Sequence, residues 1–458
     1  MAKIHFIGIG GVGMSALAEI SLEQGKTVTG SDLRLSNLTD KLVEKGVKVF
    51  SGHDASHISS DTDIVVRSAC IRDSNPEVER AKALNIPVIS RSEMLKSVLE
   101  SADTSVVVTG THGKTTSSAL ISYITEKCGK DPTVLVGGVI EHFGGNAKCG
   151  RLDFVVAELD ESDGFFRNVA VKYAVITNVE REHIENYGSM ENLISAYGEF
   201  INRIDPHGIF VFNGEDPVLR DISFQSRAKK IDFGIDGDFK YAARDVSFDR
   251  SISFGLVKDG KAVGNISSRL LGRHNVMNIL GVTALCMEMG MGFSEVAEAV
   301  SGFKTVKRRF DLVGNVGTIE VFEDYGHHPT EIRSVITAAR NYTRGRVIAV
   351  FQPHRYTRTM DMADDFAKCF YGADVLILTD IYSADEDPIP GVGTADIIKK
   401  MDTKRFELVK LMDKDGIADF LSAKVRDNDV VMVLGAGNIR EIAGPLVEKI
   451  KKVRGKKA

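Results

Sequence analysis

A chain of 458 residues exceeds what one hydrophobic core can serve and implies about three domains. Its 43% apolar and 26% charged content is that of a globular protein, and a net charge of −5 argues against a surface built for nucleic acid or anionic lipid. No apolar run reaches the roughly 18 residues that cross a bilayer, so neither a membrane nor a nucleic acid is an expected partner.

The first domain, residues 1–102, alternates strand and helix in a doubly wound α/β pattern. Strands are expected at Ile4–Ile7, Thr27–Gly30, Val47–Phe50, Asp63–Val66 and Val88–Ile89. Helices are expected at Met14–Gln24, Leu38–Lys45 and Pro76–Ala83. Met1–Gly8 lacks the basic start, long apolar centre and cleavage site of a signal peptide and reads as a strand. That strand runs into Gly8-Ile9-Gly10-Gly11-Val12-Gly13, a G-x-G-x-x-G that opens the helix carrying Ser15. The motif suits a pyrophosphate or sugar nucleotide at a helix N-terminus, and equally a tight turn for packing helix on strand. Asp32 closes the second strand, where an acidic residue commonly meets a ribose hydroxyl.

The second domain, residues 103–310, carries the most informative run of the chain. Val106–Thr116 reads V-V-V-T-G-T-H-G-K-T-T: an apolar β-branched strand, a glycine turn, then a helix expected over Ser117–Lys127. Gly110, Thr111, His112 and Gly113 can wrap phosphate oxygens with backbone N–H groups. Lys114 neutralises charge, and Thr115 or Thr116 can reach a metal ion. The match is to a shortened G-x-x-G-K-T, because Val108 stands five residues before Gly113. Further strands are expected at Phe154–Leu159, Tyr173–Asn178, Gly208–Asn213 and Lys230–Phe233. The first of these ends in Glu158-Leu159-Asp160-Glu161-Ser162-Asp163, a carboxylate burst suited to Mg²⁺ at the ligand end of an α/β sheet. The second leads to His183, which can be a metal ligand, a phosphate contact or a surface histidine. A Lys258-Asp259-Gly260-Lys261 turn between Ser251–Val257 and Ala262–Ser267 predicts a β-hairpin, a small antiparallel addition to a mostly parallel sheet. Near the expected helix Val276–Met289, Asn275 and Asn278 share one face and can meet an adenine edge; Asn275 serves equally well as an N-cap. Gly302–Phe310 reads as a linker, and its Arg308-Arg309 pair can reach a γ-phosphate or simply be solvated.

In the third domain, residues 311–458, the α/β alternation resumes, with strands expected at Thr318–Glu323, Arg346–Phe351, Val375–Thr379 and Val430–Leu434. Two of these end in Asp324-Tyr325-Gly326-His327-His328-Pro329 and Gln352-Pro353-His354-Arg355-Tyr356-Thr357-Arg358, which together suit a pocket for an anionic substrate. The basic tail Lys449–Lys457 reads as a solvated helix end. Cys70, Cys128, Cys149, Cys286 and Cys369 form no C-x-x-C pair, which predicts free thiols in a reducing cytoplasm.

These motifs, in this order and over essentially the whole chain, resemble the Mur ligases, ATP-dependent amide-forming enzymes of peptidoglycan synthesis. G-I-G-G-V-G-M-S at Gly8–Ser15, T-G-T-H-G-K-T-T at Thr109–Thr116, the D-Y-G-H-H-P and Q-P-H-R-Y-T-R runs and Leu434-Gly435-Ala436-Gly437-Asn438-Ile439 are similar to those of the member that adds L-alanine. The resemblance implies an N-terminal Rossmann-like domain, a central P-loop-type ATPase domain and a C-terminal Rossmann-like domain. It implies UDP-N-acetylmuramate and L-alanine as substrates, ATP and Mg²⁺ as cofactors, and a monomer or weak homodimer. By the same resemblance the sugar nucleotide meets Gly10, Gly11, Val12, Gly13, Ser15 and Asp32. Lys114 contacts phosphates, Thr115 or Thr116 holds one Mg²⁺, and Glu158 with His183 holds a second. Asn275 and Asn278 contact adenine, and Arg309, Asp324, His327 and His328 line the reaction centre. His354, Arg355 and Arg358 contact the muramyl substrate or the amino acid. No lysine occurs between Lys172 and Lys229, so the carbamoylated lysine of several later-step members is not expected. The rival readings are a murein-tripeptide recycling ligase, a folylpolyglutamate-type ligase, a nonenzymatic nucleotide switch, and a nicotinamide-linked dehydrogenase built on Gly8–Gly13. The last leaves the G-K-T-T loop unexplained.

Overall fold

The computed structural model describes residues 2–455, and the last residues of the basic tail, Lys456 and Lys457, lie outside them. Three sheets with flanking helices make a three-domain α/β architecture. The chain forms two compact units, one of Met1–Arg244, Leu256–Gly264 and Met277–Val300, the other of Asp245–Gly255, Asn265–Val276 and Ser301–Ala458. Among the described residues no helix is long and apolar enough to cross a membrane.

The first sheet is parallel, in the spatial order Lys48–Ser51, Thr27–Asp32, Lys3–Ile7, Ile64–Arg67, Val88–Ser90. Its order reverses on either side of Lys3–Ile7, which places the glycine loop at the crevice where α/β sheets bind ligands. Helix Val12–Glu23 packs Met14, Leu17, Ala18 and Ile20 into the core of the first unit. A helix the sequence pattern left out, Arg91–Glu100, starts with a Ser90/Glu93 capping box.

The second sheet has ten strands. Its centre is Thr104–Thr109, flanked by Val171–Ile176 and Arg151–Glu158 in parallel register. Val106, Val107 and Val108 are wholly buried, as a parallel central strand requires of an unbroken β-branched run. Helix Lys114–Lys127 begins three residues earlier than the expected Ser117, because the turn at Gly113 delivers Lys114 directly into helical geometry. Strands Ile252–Lys258 and Lys261–Ser268 form the expected hairpin, its Asp259-Gly260 turn taking positive φ at both residues. The sequence pattern missed Pro132–Ile140 and Gly145–Lys148, which pair antiparallel at the opposite edge.

In the second unit, six strands run in the order Asp311–Val316, Ile319–Asp324, Val430–Leu434, Val347–Phe351, Val375–Leu378, Leu408–Leu411. The first pair is antiparallel and the rest parallel. Apolar cores fill both faces. The expected linker begins as the end of helix Phe293–Gly302, and Arg308 and Phe310 adopt positive φ in the turn before Asp311.

Candidate active site

At the end of the strand Thr104–Thr109 the chain turns through Gly110 (φ +127°) and Gly113 (φ +83°). A Cβ on Gly110 would lie 2.2 Å from Thr177 Oγ1, and one on Gly113 2.5 Å from Asn278 Oδ1, so neither position admits a side chain. The loop is tied down from the neighbouring strand end. Asn178 Oδ1 accepts from the His112 N–H (2.8 Å), Thr177 Oγ1 donates to the His112 carbonyl (2.6 Å), and Thr111 Oγ1 accepts from the Glu180 N–H (2.8 Å).

Lys114 Nζ donates to the Gly110 carbonyl (2.6 Å), the Thr111 carbonyl (3.0 Å) and Glu161 Oε1 (3.0 Å). Burial alone would lower its pKa, but the carboxylates of Glu161, Asp160 and Glu158 outweigh burial and raise it above the ordinary lysine value. The ammonium therefore stays charged at the mouth of the loop, where phosphate oxygens can replace its present acceptors. Burial likewise pushes the Asp160 carboxyl up, and Lys114 together with the Ser162 N–H and His183 brings it below its usual range.

Thr115 Oγ1 donates to Glu158 Oε1 across 3.1 Å, and Glu158 Oε2 accepts from the Gly137 N–H (2.8 Å). Oxygen ligands of one Mg²⁺, each about 2.1 Å from the ion, stand about 3 Å apart in adjacent octahedral positions. This hydroxyl–carboxylate pair has that spacing, so the donor set fits a hard divalent cation. His183, expected to share a metal with Glu158, occupies a left-handed turn (φ +55°) before helix Ile184–Tyr187. Its Nδ1 stands 3.9 Å from Glu185.

The glycine loop of the first sheet is built differently. Gly8 takes φ +81°, Gly10 N–H donates to Asp32 Oδ2 (2.9 Å), and Arg34 N–H donates to Asp32 Oδ1 (3.0 Å). Asp32, expected at a ribose, thus braces the loop with one oxygen while the other holds its own turn at Arg34. Ser15, expected at the sugar nucleotide, donates its hydroxyl back to the Val12 carbonyl (3.0 Å). Helix Val12–Glu23 has no side-chain cap, which leaves its first N–H groups for a ligand. A cavity of about 380 Å³ opens there. Gly11, Val12 and Gly13 line it together with Gly137, Glu158 and Asp160. Ser68, Arg91 and Asn146 also line it, and none of these was singled out by the sequence. Arg91 comes so close to the loop that a Cβ on Gly13 would sit 3.0 Å from its Nη1. The legible clue was the S-x-x-E box at Ser90–Glu93, which sets Arg91 at a helix start.

Asn275 and Asn278 both fall in helix Arg273–Glu288. Because the helix starts at Arg273, Asn275 lies inside it rather than capping it, and its amide donates to the Leu271 carbonyl (2.8 Å).

In the second unit, Asp324 is buried and accepts from the Phe310 N–H (2.8 Å) and Gly326 N–H (2.6 Å). Burial raises its pKa to about 6, against the pull of Arg309 and those two N–H groups. The Arg308 and Arg309 guanidiniums stand over the Tyr325 ring at 4.6 and 5.2 Å, and Arg309 faces Glu331 at 3.8 Å. His328 caps helix Pro329–Tyr342 by accepting from the Thr330 N–H on Nδ1 (3.3 Å). The His327 and His354 rings lie 5.9 Å apart, and His354 stacks on Tyr382. Arg355, expected on substrate, pairs with Glu386 (2.6 Å), which also accepts from Thr357; Arg358 donates to the His354 carbonyl (3.2 Å).

Comparison with known proteins gives a consistent picture. Family models match three successive stretches: "Mur ligase family, catalytic domain" over residues 3–102, "Mur ligase middle domain" over 108–286 and "Mur ligase, glutamate ligase domain" over 308–437. A UDP-N-acetylmuramate–L-alanine ligase of Anaeromyxobacter sp. (strain Fw109-5) is 39% identical, covering 97% of this chain and 96% of that one. The like-named protein of Symbiobacterium thermophilum is 40% identical, covering 98% and 94%. A solved UDP-N-acetylmuramate–alanine ligase from Thermotoga maritima superposes with a TM-score of 0.82 at 30% identity, covering 99% of this chain and 100% of that one. A murein peptide ligase from Psychrobacter arcticus shares the fold, with a TM-score of 0.70 at 22% identity, covering 98% and 99%.

Proposed function

The chain belongs to the Mur ligase family, and from that premise we propose that it joins L-alanine to the lactoyl carboxylate of UDP-N-acetylmuramate, converting ATP to ADP and phosphate. The observation that carries the reading is one cavity lined both by the uncapped helix start at Gly11–Gly13 and by Glu158 and Asp160. A diphosphate held at that helix start leaves the rest of a sugar nucleotide in the same cavity as Glu158 and Asp160, the carboxylates whose charge reaches Lys114. The proposed division of the chain is 1–102 for the UDP moiety, 103–310 for ATP and 311–458 for the remaining substrate contacts.

A carboxylate does not react with an amine, because its leaving group would be oxide. The lactoyl oxygen therefore attacks the γ-phosphorus of ATP; its O–P bond forms as the bond to the β-phosphate oxygen breaks, and ADP leaves. The alanine nitrogen, neutral on arrival, then attacks the acyl carbon. The tetrahedral adduct expels phosphate, and the nitrogen gives up a proton. Donor and acceptor are both anionic, so the first step needs fixed positive charge. Lys114 supplies it, held protonated by its carboxylate neighbours. Thr115 and Glu158 are the residues that would hold Mg²⁺, whose charge screens the phosphates when bound. In the second unit, Arg309, His327 and His354 are the proposed contacts for the carboxylate groups of substrate or amino acid.

The test is phosphate release with ATP and UDP-N-acetylmuramate, offering L-alanine, glycine, L-serine or the L-Ala-γ-D-Glu-meso-diaminopimelate tripeptide. L-alanine is expected to be preferred. Turnover with tripeptide alone would assign the chain to peptide recycling, and hydride transfer to a nicotinamide without ATP use would reverse the reading entirely.

A further inference from the structure

Behind the glycine loop, on the face of the first sheet away from helix Val12–Glu23, lies a buried polar cluster that the reaction does not use. Its centre is Glu77, wholly buried in the first turn of helix Pro76–Ala83. Glu77 Oε2 accepts from Ser31 Oγ (2.6 Å) and from His53 Nδ1 (3.1 Å). Glu77 Oε1 accepts from His57 Nδ1 (2.6 Å), and His5 Nε2 points at the same oxygen from 3.6 Å. His5 is itself held by Thr29 Oγ1 (2.9 Å), its partner in the strand register.

Three hydrogen-bond donors and the nearby His5 imidazole converge on one carboxylate, which offers about four lone-pair sites and no proton of its own. Burial would push the Glu77 carboxyl up; the neighbouring His5 imidazole and the bonds from Ser31 and His57 prevail and hold its pKa down at about 2. The group is therefore ionised under all ordinary conditions. A side chain at this depth is costly unless its partners are complete, and here three of the four partners are imidazoles drawn from residues 5, 53 and 57.

The fourth partner, Ser31, links the cluster to the ligand loop. Its carbonyl accepts both the Gly8 N–H (2.8 Å) and the Ile9 N–H (3.0 Å), and the next residue, Asp32, takes the Gly10 N–H (2.9 Å). The loop that aims helix Val12–Glu23 at the cavity thus hangs on Ser31 and Asp32. Asp32 is anchored to backbone on both oxygens, whereas the Ser31 side chain is anchored only within the buried cluster.

We propose that Glu77 is a positioning residue for the nucleotide-sugar site: by fixing Ser31 it fixes the Gly8–Ile9 turn, and so the approach of the first helical turn to the diphosphate. This rests on the proposed binding of UDP-N-acetylmuramate at that loop. Glu77→Gln replaces an acceptor oxygen with a donor and leaves at least one of the donors facing another. Ser31→Ala cuts the side-chain bond that ties Glu77 to the residue whose carbonyl holds the loop.

The experiment pairs amide hydrogen exchange with calorimetric titration on the full chain. In Glu77→Gln and in Ser31→Ala, exchange in the peptide covering Gly8–Gly13 is expected to quicken about tenfold, with the peptide covering Gly110–Thr116 unchanged. UDP-N-acetylmuramate should bind about tenfold more weakly in each, the size expected for one lost hydrogen bond to a charged group. ATP affinity and kcat should stay within about twofold. The double variant should be no more than about twofold weaker than Glu77→Gln alone, because both act on one link. Unchanged exchange at Gly8–Gly13, equal loss of ATP affinity, or additive losses would each overturn the inference. Should Glu77→Gln fail to fold, Ser31→Ala decides alone by the same readings. Wild-type protein that ignores UDP-N-acetylmuramate while the exchange contrast holds would overturn the function instead, and leave the hold of Glu77 on the loop standing.

Discussion

The two glycine loops of the first unit have the same layout and opposite electrostatics. Each leaves a buried parallel strand, turns on glycine, and opens a helix. The loop at Gly8–Gly13 contains no charged side chain and is held from outside by Asp32 and the Ser31 carbonyl. The loop at Gly110–Thr116 carries its own cation, Lys114, already surrounded by two carbonyls and Glu161. On the proposed reading the first seats a group that only needs to be held, and the second keeps a charge in readiness for a group whose charge changes during reaction. That contrast suits a leaving diphosphate in one place and a spectator diphosphate in the other.

Removing the charge of the second loop is the strongest way to break the contrast. Lys114→Ala should lower kcat by about a thousandfold or more, the scale at which a fixed cation serves phosphoryl transfer. UDP-N-acetylmuramate affinity by calorimetry should stay within about twofold. Equal loss of both would mean the loops do not divide the work.

Backbone freedom offers a second, slightly smaller contrast. Gly110 stands at φ +127°, with Thr177 Oγ1 2.2 Å from where a Cβ would sit, whereas Gly11 has ordinary extended φ and its nearest neighbour at 3.4 Å. Gly110→Ala should cost several times the ~1 kcal/mol of left-handed strain alone and abolish turnover. Gly11→Ala should leave the melting temperature nearly unchanged. Similar melting temperatures for the two variants would remove the distinction.

How legible these regions were follows from how local their determinants are. The parallel strands Val106–Val108, Val347–Phe351 and Val430–Leu434 announce themselves as unbroken apolar runs, and they are buried throughout. Pro132–Ile140, with two glycines and an antiparallel partner at a sheet edge, gives no such period. Both loops were legible because strand, glycines and helix lie within a dozen residues. The bracing role of Asp32 and the cap formed by His328 were not, since they depend on which N–H group arrives opposite a carboxylate or imidazole. Nor could the place of Arg91 in the cavity, the pairing of Glu161 with Lys114 or the Glu77 cluster be read off, because tertiary packing brings them to their partners from distant segments.

Carboxylates that brace a turn also differ between the units. Asp32 does so half-buried, whereas Asp324 does the same fully buried, with its pKa raised from 3.8 to about 6. Below about pH 4 the folded and unfolded forms are both protonated and this group costs nothing. Between about pH 4 and 6 the unfolded chain gives up the proton that the folded one keeps, so stability falls as pH rises, by about 3 kcal/mol in all. Asp324→Asn should flatten this slope. Denaturation midpoints of the two proteins compared from pH 4 to 7 should diverge by close to one proton; parallel curves would mean the carboxyl is not perturbed.

The smallest expected effect concerns the cation that the first loop lacks. Arg91 belongs to a different helix, yet its guanidinium is what a side chain on Gly13 would strike, and it lines the same cavity. On the proposed reading the first loop borrows its positive charge from a neighbour, where the phosphate loop builds its own into the helix. A borrowed guanidinium contributes planar, two-pronged hydrogen bonding to phosphate as well as charge. Arg91→Ala should therefore raise KM for UDP-N-acetylmuramate about tenfold with kcat and KM for ATP nearly unmoved, and Arg91→Lys should restore only part of it. If lysine restores all of the affinity, Arg91 acts as a point charge; if alanine costs nothing, the first loop holds its ligand with backbone N–H groups alone, and the contrast between the two loops is wider than drawn.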